Sequence, residues 1–213
     1  MTWFDPVDNY CERLDSSFWA EPLNAMSNLA FIVAGLVLLR QWQKAPGRDM
    51  IGLLLAVNVL VIGVGSFLFH TFANRWSALA DVLPITIFIH GYLAVALRSY
   101  LGFRWWQAVA ATAAFFAASP LLGAAIATLL GSSAFYVPAL LAIFVVAAAS
   151  RNRQVAASLR NAGIVFAISI TFRALDMPLC QGLPQGTHPL WHLLNGIVLF
   201  LLVRIYMRFA NAR

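Results

Sequence analysis

Residues 50–72 read MIGLLLAVNVLVIGVGSFLFHTF, a run of 23 with no Asp, Glu, Lys or Arg. As a helix rising 1.5 Å per residue it would be about 35 Å long, enough to cross the roughly 30 Å hydrocarbon core of a bilayer. Working outward, the polar segment RQWQKAPGRD precedes it, and before that lies an apolar run over 25–39. After it, 80–97 is apolar and ends at RSYLGFRWW. Residues 108–149 are apolar for 42 positions, broken mainly by Pro120, Gly131-Ser132-Ser133 and Pro138. That is too long for one span and suits two with a turn near Gly131. Two further runs cover 155–174, with Arg160 able to snorkel from its start, and 190–202. The pattern predicts an all-α polytopic membrane protein with seven transmembrane helices. It is read as a single domain over 1–213, with 1–24 as an outer acidic segment.

Composition excludes the alternatives. Apolar residues make up 62% of the 213 and charged residues 10%, with a mean hydropathy of +0.80. A soluble domain carries about 25% charged residues, so neither a cytosolic domain nor a disordered chain fits. The N-terminal MTWFDPVDNYCERLDSSFWAEP has no apolar centre, so a cleavable signal peptide is not expected.

The net charge of +6 reads as topology, with no nucleic-acid partner. If the first connection is cytoplasmic, that side holds Arg40, Lys44, Arg48, Arg98, Arg104, Arg151, Arg153, Arg160, Arg204, Arg208 and Arg213, 11 of the 14 basic residues. Arg13, Arg75 and Arg173 lie on the other side. The positive-inside rule then puts the N-terminus outside and the C-terminus in the cytoplasm. The basic connections near Arg98 and Arg151 share a side only if an even number of spans separates them, which agrees with dividing 108–149 in two.

Ionisable residues within a bilayer are functional candidates by default. His70 lies 20 residues beyond Met50, near the outer end of its span, and Ser66 sits one turn deeper on the same face. Asp81 opens the third span at the outer level. His188 and His192 open the last, at the i,i+4 spacing that binds a metal from one helix. Three imidazoles with an open fourth position suit a catalytic zinc site. Each residue also has a plainer reading. The His188–His192 pair alone arises easily by chance, Asp81 reads equally as a helix cap or a histidine's partner, and Ser66 reads as small-residue packing. His90 reads as packing or a polar contact.

Together these residues resemble the alkaline ceramidase family, seven-span membrane hydrolases of the superfamily that includes the adiponectin and progestin receptors. The resemblance covers the whole chain. It is carried by Tyr10-Cys11-Glu12, by Phe18-Trp19-Ala20-Glu21-Pro22-Leu23-Asn24 with Ser27-Asn28, by Ser66-Phe67-Leu68-Phe69-His70, by Asp81 with Leu83-Pro84, and by His188-Pro189-Leu190-Trp191-His192. It implies zinc on His70, His188 and His192. It also implies that Asp81 orients or deprotonates the attacking water, and that Ser66 positions the substrate carbonyl or stabilises its oxyanion. The implied reaction is hydrolysis of the amide of ceramide, or of a ceramide-like membrane lipid, to a sphingoid base and a fatty acid. The short chain looks most like the family's bacterial members, which implies an inner-membrane protein with its site toward the periplasm.

The resemblance also implies a calcium site in the N-terminal segment. The matching positions read Asn9, Tyr10, Cys11, Glu12, Arg13 and Leu14, with Glu21 as the later acid, so Asn9 and Leu14 depart from the family pattern. Asp8 and Asp15 stand beside them. Two readings remain open: a hard-cation site of Asp8, Asn9, Glu12, Asp15 and Glu21, or a solvated acidic tail. The resemblance further suggests a Cys11–Cys180 disulfide, against the alternative of two free thiols. Two other functions compete with hydrolysis: a lipid receptor that retains zinc, and a histidine-relay transporter. The transporter is disfavoured because the cytoplasmic half of the spans carries no Asp, Glu or His apart from His90.

Overall fold

The computed structural model describes residues 2–209, so Met1 and Arg213 lie outside the described residues, as do the extreme ends of the domain expected over 1–213. A short helix α1 (Pro22–Ser27) leads through Asn28 into α2 (Leu29–Lys44). Then follow α3 (Met50–Phe72), α4 (Arg75–Leu101), α5 (Trp105–Leu130), a 3-10 turn (Gly131–Tyr136), α6 (Val137–Ala149), α7 (Arg153–Leu179) and α8 (His188–Phe209). Among the described residues there is no strand, only an isolated bridge between Pro6 and Asn74.

Among the described residues, six helical stretches are long and apolar enough to cross a membrane: Pro22–Lys44, Met50–Phe72, Arg75–Leu101, Trp105–Ala149, Arg153–Leu179 and His188–Phe209. The fourth contains both α5 and α6. Its 45 residues are interrupted at Gly131, where φ is +55°, a backbone setting that glycine adopts without steric cost. The expected runs over 80–97, 155–174 and 190–202 fall short of the observed helices. Polar capping extends the helices past their apolar centres: Asn74 caps α4 in a reciprocal pair with Ser77, and Asn152 caps α7 through two backbone N–H groups.

In the bundle α8 packs on α7 and α2, α3 lies between α2 and α4, and α6 lies on α7. The shared core includes Leu38, Val59, Ile62, Phe88, Leu159 and Val203. One end of the bundle gathers the N-terminal segment, the α3–α4 turn, the 3-10 turn and the α7–α8 loop. There the tail crosses the α3–α4 turn through Val7 N–H to the Ala73 carbonyl (2.8 Å) and Trp76 N–H to the Trp3 carbonyl (3.1 Å). At the other end Asp49 caps α3 through the Gly52 N–H (2.9 Å) and accepts the Tyr206 hydroxyl (2.8 Å), which ties α3 to α8.

Candidate metal centre and its cavity

His70 ends α3, and His188 and His192 begin α8 one turn apart, so both helices project imidazoles at the tail end of the bundle. One ligand atom from each of the three lies within 4.8 Å of the others. Ring centroids are 5.1 Å apart for His70–His188, 4.7 Å for His70–His192 and 4.4 Å for His188–His192. All three side chains are buried, at 2% exposure or less.

Two of the three rings are oriented from behind. Glu21 Oε2 meets His70 Nδ1 at 2.6 Å, and a carboxylate can only accept, so Nδ1 is the donor and Nε2 is the ring atom that could hold a metal. Ser27 Oγ and His192 Nδ1 are hydrogen-bonded at 2.7 Å. Tyr10 stacks on the His188 ring at 3.8 Å. Burial lifts the Glu21 carboxyl, but His70, Asn24 and Arg13 outweigh it and hold the group below its ordinary range. Backing a ligand imidazole with a carboxylate or hydroxyl is the arrangement that fixes tautomer and ring direction at metal sites. His188 Nδ1 and Asp81 Oδ1 are buried without a hydrogen-bond partner. Such atoms are rare in folded interiors unless something else satisfies them. The donor set and these two atoms fit a metal ion.

The approach of α8 depends on Asp176, near the end of α7. Its carboxylate accepts three backbone N–H groups: Cys11 (3.0 Å), Thr187 (2.7 Å) and His188 (2.8 Å). Gly186 makes this possible. Its φ is +66°, and a Cβ there would overlap the Asp176 carboxylate and stand 2.9 Å from Cys11 Cβ. A Cys11–Cys180 disulfide, with Cα atoms 5.3 Å apart, fastens the tail beside the same loop.

Ser66 and Asp81 are brought together by close contact of α3 and α4. A Cβ on Gly65 would overlap the Ala80 carbonyl oxygen and lie 3.3 Å from the Asp81 nitrogen. Ser66 and Asp81 are both buried. Both residues, with His188 and His192, line one end of a cavity inside the bundle. Along α4 the cavity wall runs from Asp81 through Phe88 to Ala96, which spans about 22 Å of helix. Below the histidines its lining is largely apolar.

Arg173 also lines the polar end. It donates to Ser132 Oγ (2.8 Å), Ser133 Oγ (3.0 Å) and the Tyr10 hydroxyl (3.4 Å). Its guanidinium lies 5.2 Å from the Tyr136 ring centroid and 5.7 Å from that of Trp191. These distances are within cation–π range.

The acids of the tail are dispersed. Asp8 and Asn9 are exposed, Asp15 accepts the Ser17 N–H (2.7 Å), and Glu12 accepts the N–H groups of Leu23 (2.6 Å) and Asn24 (2.8 Å) at the start of α1. Among the described residues no three of Asp8, Glu12, Asp15 and Glu21 form a metal-binding group. His90 sits apart, its Nδ1 meeting the Thr86 carbonyl at 2.7 Å and its ring against Phe115 and Phe116. The sequence reading did not single out Ser27, Asp176, Arg173 and Tyr10 for the site. For Asp176 and Arg173 a signal existed: two charges three residues apart at the end of an apolar run.

A family model described as Ceramidase matches residues 7–212. No curated protein was found that matches the chain.

Proposed function

Since this chain belongs to the ceramidase family, hydrolases of the ceramide amide bond, we propose that it is a zinc-dependent hydrolase working within the membrane. Its proposed substrate is ceramide or a ceramide-like N-acyl lipid, and its products are a sphingoid base and a free fatty acid. One observation carries this reading: His188 and His192, clustered with His70, line the polar end of a long apolar cavity together with Ser66 and Asp81. An acyl chain lying in that cavity would put its amide beside the histidines.

His70, His188 and His192 would hold the metal. Zinc in a three-histidine site polarises a carbonyl and lowers the pKa of water toward about 7. The chain's own groups do the rest. Asp81 takes a proton from the attacking water through its unpartnered Oδ1 and returns it to the leaving amine. Ser66 donates to the carbonyl oxygen as negative charge develops there. Arg173, fixed by Ser132 and Ser133, holds a positive charge at the same end and favours that anion. Glu21 and Ser27 keep two ligand rings from turning.

The same reading gives seven spans, with α5 and α6 crossing separately. In support, the Ser132–Ser133 turn meets Arg173 at the tail end, while Gly102 and Phe103 lie near Arg151 and Asn152 at the other. That second end also carries Arg40, Lys44, Arg98 and Arg104, which would make it cytoplasmic and the histidine end periplasmic in a bacterial inner membrane.

The test is purified full-length protein incubated with ceramides, phytoceramides and N-acyl amino lipids, with fatty-acid release and metal content measured together. One zinc per chain and release of fatty acid from at least one class are expected. Stoichiometric zinc with no release from any would favour the receptor reading. Release undiminished by removal of the metal would sink the zinc mechanism.

A further inference from the structure

The N-terminal segment folds around a guanidinium. Arg13 is 7% exposed and donates through Nε to Glu21 Oε1 (2.5 Å), through one terminal nitrogen to the carbonyls of Asp15 (3.1 Å) and Ser17 (3.5 Å), and through the other to the carbonyl of His70 (3.2 Å). Four oxygens from the tail, the start of α1 and the end of α3 thus converge on one buried positive charge. A carboxylate and several carbonyls are also what a hard cation recruits. Here Glu21 and Glu12, the two acids of the segment nearest this cluster, have other partners as well. The other Glu21 oxygen binds His70 Nδ1 and Asn24 Nδ2, and both Glu12 oxygens cap α1. The oxygens of this segment therefore fit a calcium ion poorly, because Arg13 already occupies the space among them.

We propose that Arg13 is a built-in cation that makes this segment independent of calcium and positions His70 through Glu21. A guanidinium suits the task, since its planar fork reaches several oxygens at fixed angles where an ammonium acts as a point charge. It grips Glu21 and the His70 carbonyl at once, so the carboxylate that orients the ring and the backbone that carries it are held by one group. Arg13 touches no reacting atom and is a positioning residue. The proposal rests on the reading of His70 as a metal ligand only in its second half, and the test separates the two.

The first arm uses wild-type protein stripped of divalent ions and measures thermal unfolding as calcium chloride is added, with magnesium chloride as the control. No calcium-specific rise in Tm is expected. A saturable, calcium-specific rise would overturn the proposal, whatever happens at the histidines. The second arm measures zinc affinity by competition with a chromogenic chelator in wild type, Arg13→Lys and Arg13→Gln. Loss of support behind a ligand histidine typically weakens metal binding about 10–100-fold, and Arg13→Gln should fall in that range with Arg13→Lys between it and wild type. Unchanged affinity in a folded Arg13→Gln variant would overturn the positioning role. If that variant does not fold, Arg13→Lys decides, because wild-type affinity in it would equally remove the need for the fork. Zinc failing to bind wild type would reject the histidine site and leave the calcium arm to judge Arg13.

Discussion

The Asp176 carboxylate accepts the backbone N–H of His188 at 2.8 Å, so an acid at the end of α7 sets where the first histidine of α8 stands. The same carboxylate takes Cys11 and Thr187, and its side chain is 2% exposed. Asp176→Ala would leave three buried N–H groups without an acceptor, each costing about 1–3 kcal/mol. Thermal unfolding should show a loss of several kcal/mol, and chelator competition should show weaker zinc binding. Wild-type zinc affinity in a folded Asp176→Ala variant would show that His188 is placed by other contacts.

Chemistry and metal binding should separate by residue. His70→Ala, His188→Ala and His192→Ala should each lose zinc and activity together, because three ligands leave none to spare. Asp81→Asn should keep zinc and lose about 10²–10⁴-fold in turnover, the usual contribution of a general base. Ser66→Ala should keep zinc and lose about 10²–10³-fold, as when one oxyanion donor is removed. His90→Ala should retain zinc. Wild-type turnover in Asp81→Asn would refute its role as base.

Two glycine substitutions should have opposite signs. Gly65→Ala puts a methyl against the Ala80 carbonyl and pushes α3 from α4 beside Ser66 and Asp81. Overpacking of this kind costs about 1–3 kcal/mol, and activity should fall while zinc stays. Gly91, in the middle of α4, has open space where its Cβ would go. There alanine should be neutral or stabilising by up to about 1 kcal/mol, from helix propensity. Equal effects on Tm would show that α3 and α4 approach less closely than described.

The disulfide should be measurable as a tether. It joins residues 169 apart in sequence, for which the chain-entropy model allows about 5 kcal/mol. Reduction, or Cys11→Ser, should lower Tm and weaken zinc binding, because Tyr10 and Glu21 reach the histidines from the same segment. Free alkylation of both thiols in unreduced, denatured protein would rule the bridge out.

Much of this arrangement is legible in the sequence. A bilayer makes polar residues costly, so the few that remain stand out. His70, His188, His192, Ser66 and Asp81 can be placed at one depth by counting along helices, and the structure brings the three histidines together. The Cys11–Cys180 pairing is suggested by family resemblance and is present. The partners of the histidines are harder to read. Glu21 meets His70 across 49 residues and Ser27 meets His192 across 165, and no periodicity encodes such contacts. In sequence Glu21 reads as an acid of a candidate calcium site rather than as a histidine's partner, and Arg13 as a stray basic residue. Their roles depend on burial, which composition does not report. Helix ends are misjudged for a related reason, since Asn74 and Asn152 extend α4 and α7 through side-chain caps that lie beyond the apolar run.

The histidines that would hold the metal lie at positions 70, 188 and 192, and the loop that sets the last two is pinned to residue 11. During synthesis the chain from residue 71 to residue 187 must be made after the first ligand before the second and third exist. A nascent chain with two or three helices inserted therefore carries Ser66, His70 and Asp81 without the means to attack the lipids around it. If the three histidines hold the catalytic metal, activity would become available only once α8 has entered the membrane and joined the N-terminal segment. Truncated or stalled translation products of this protein should accordingly be inert toward the bilayer that contains them.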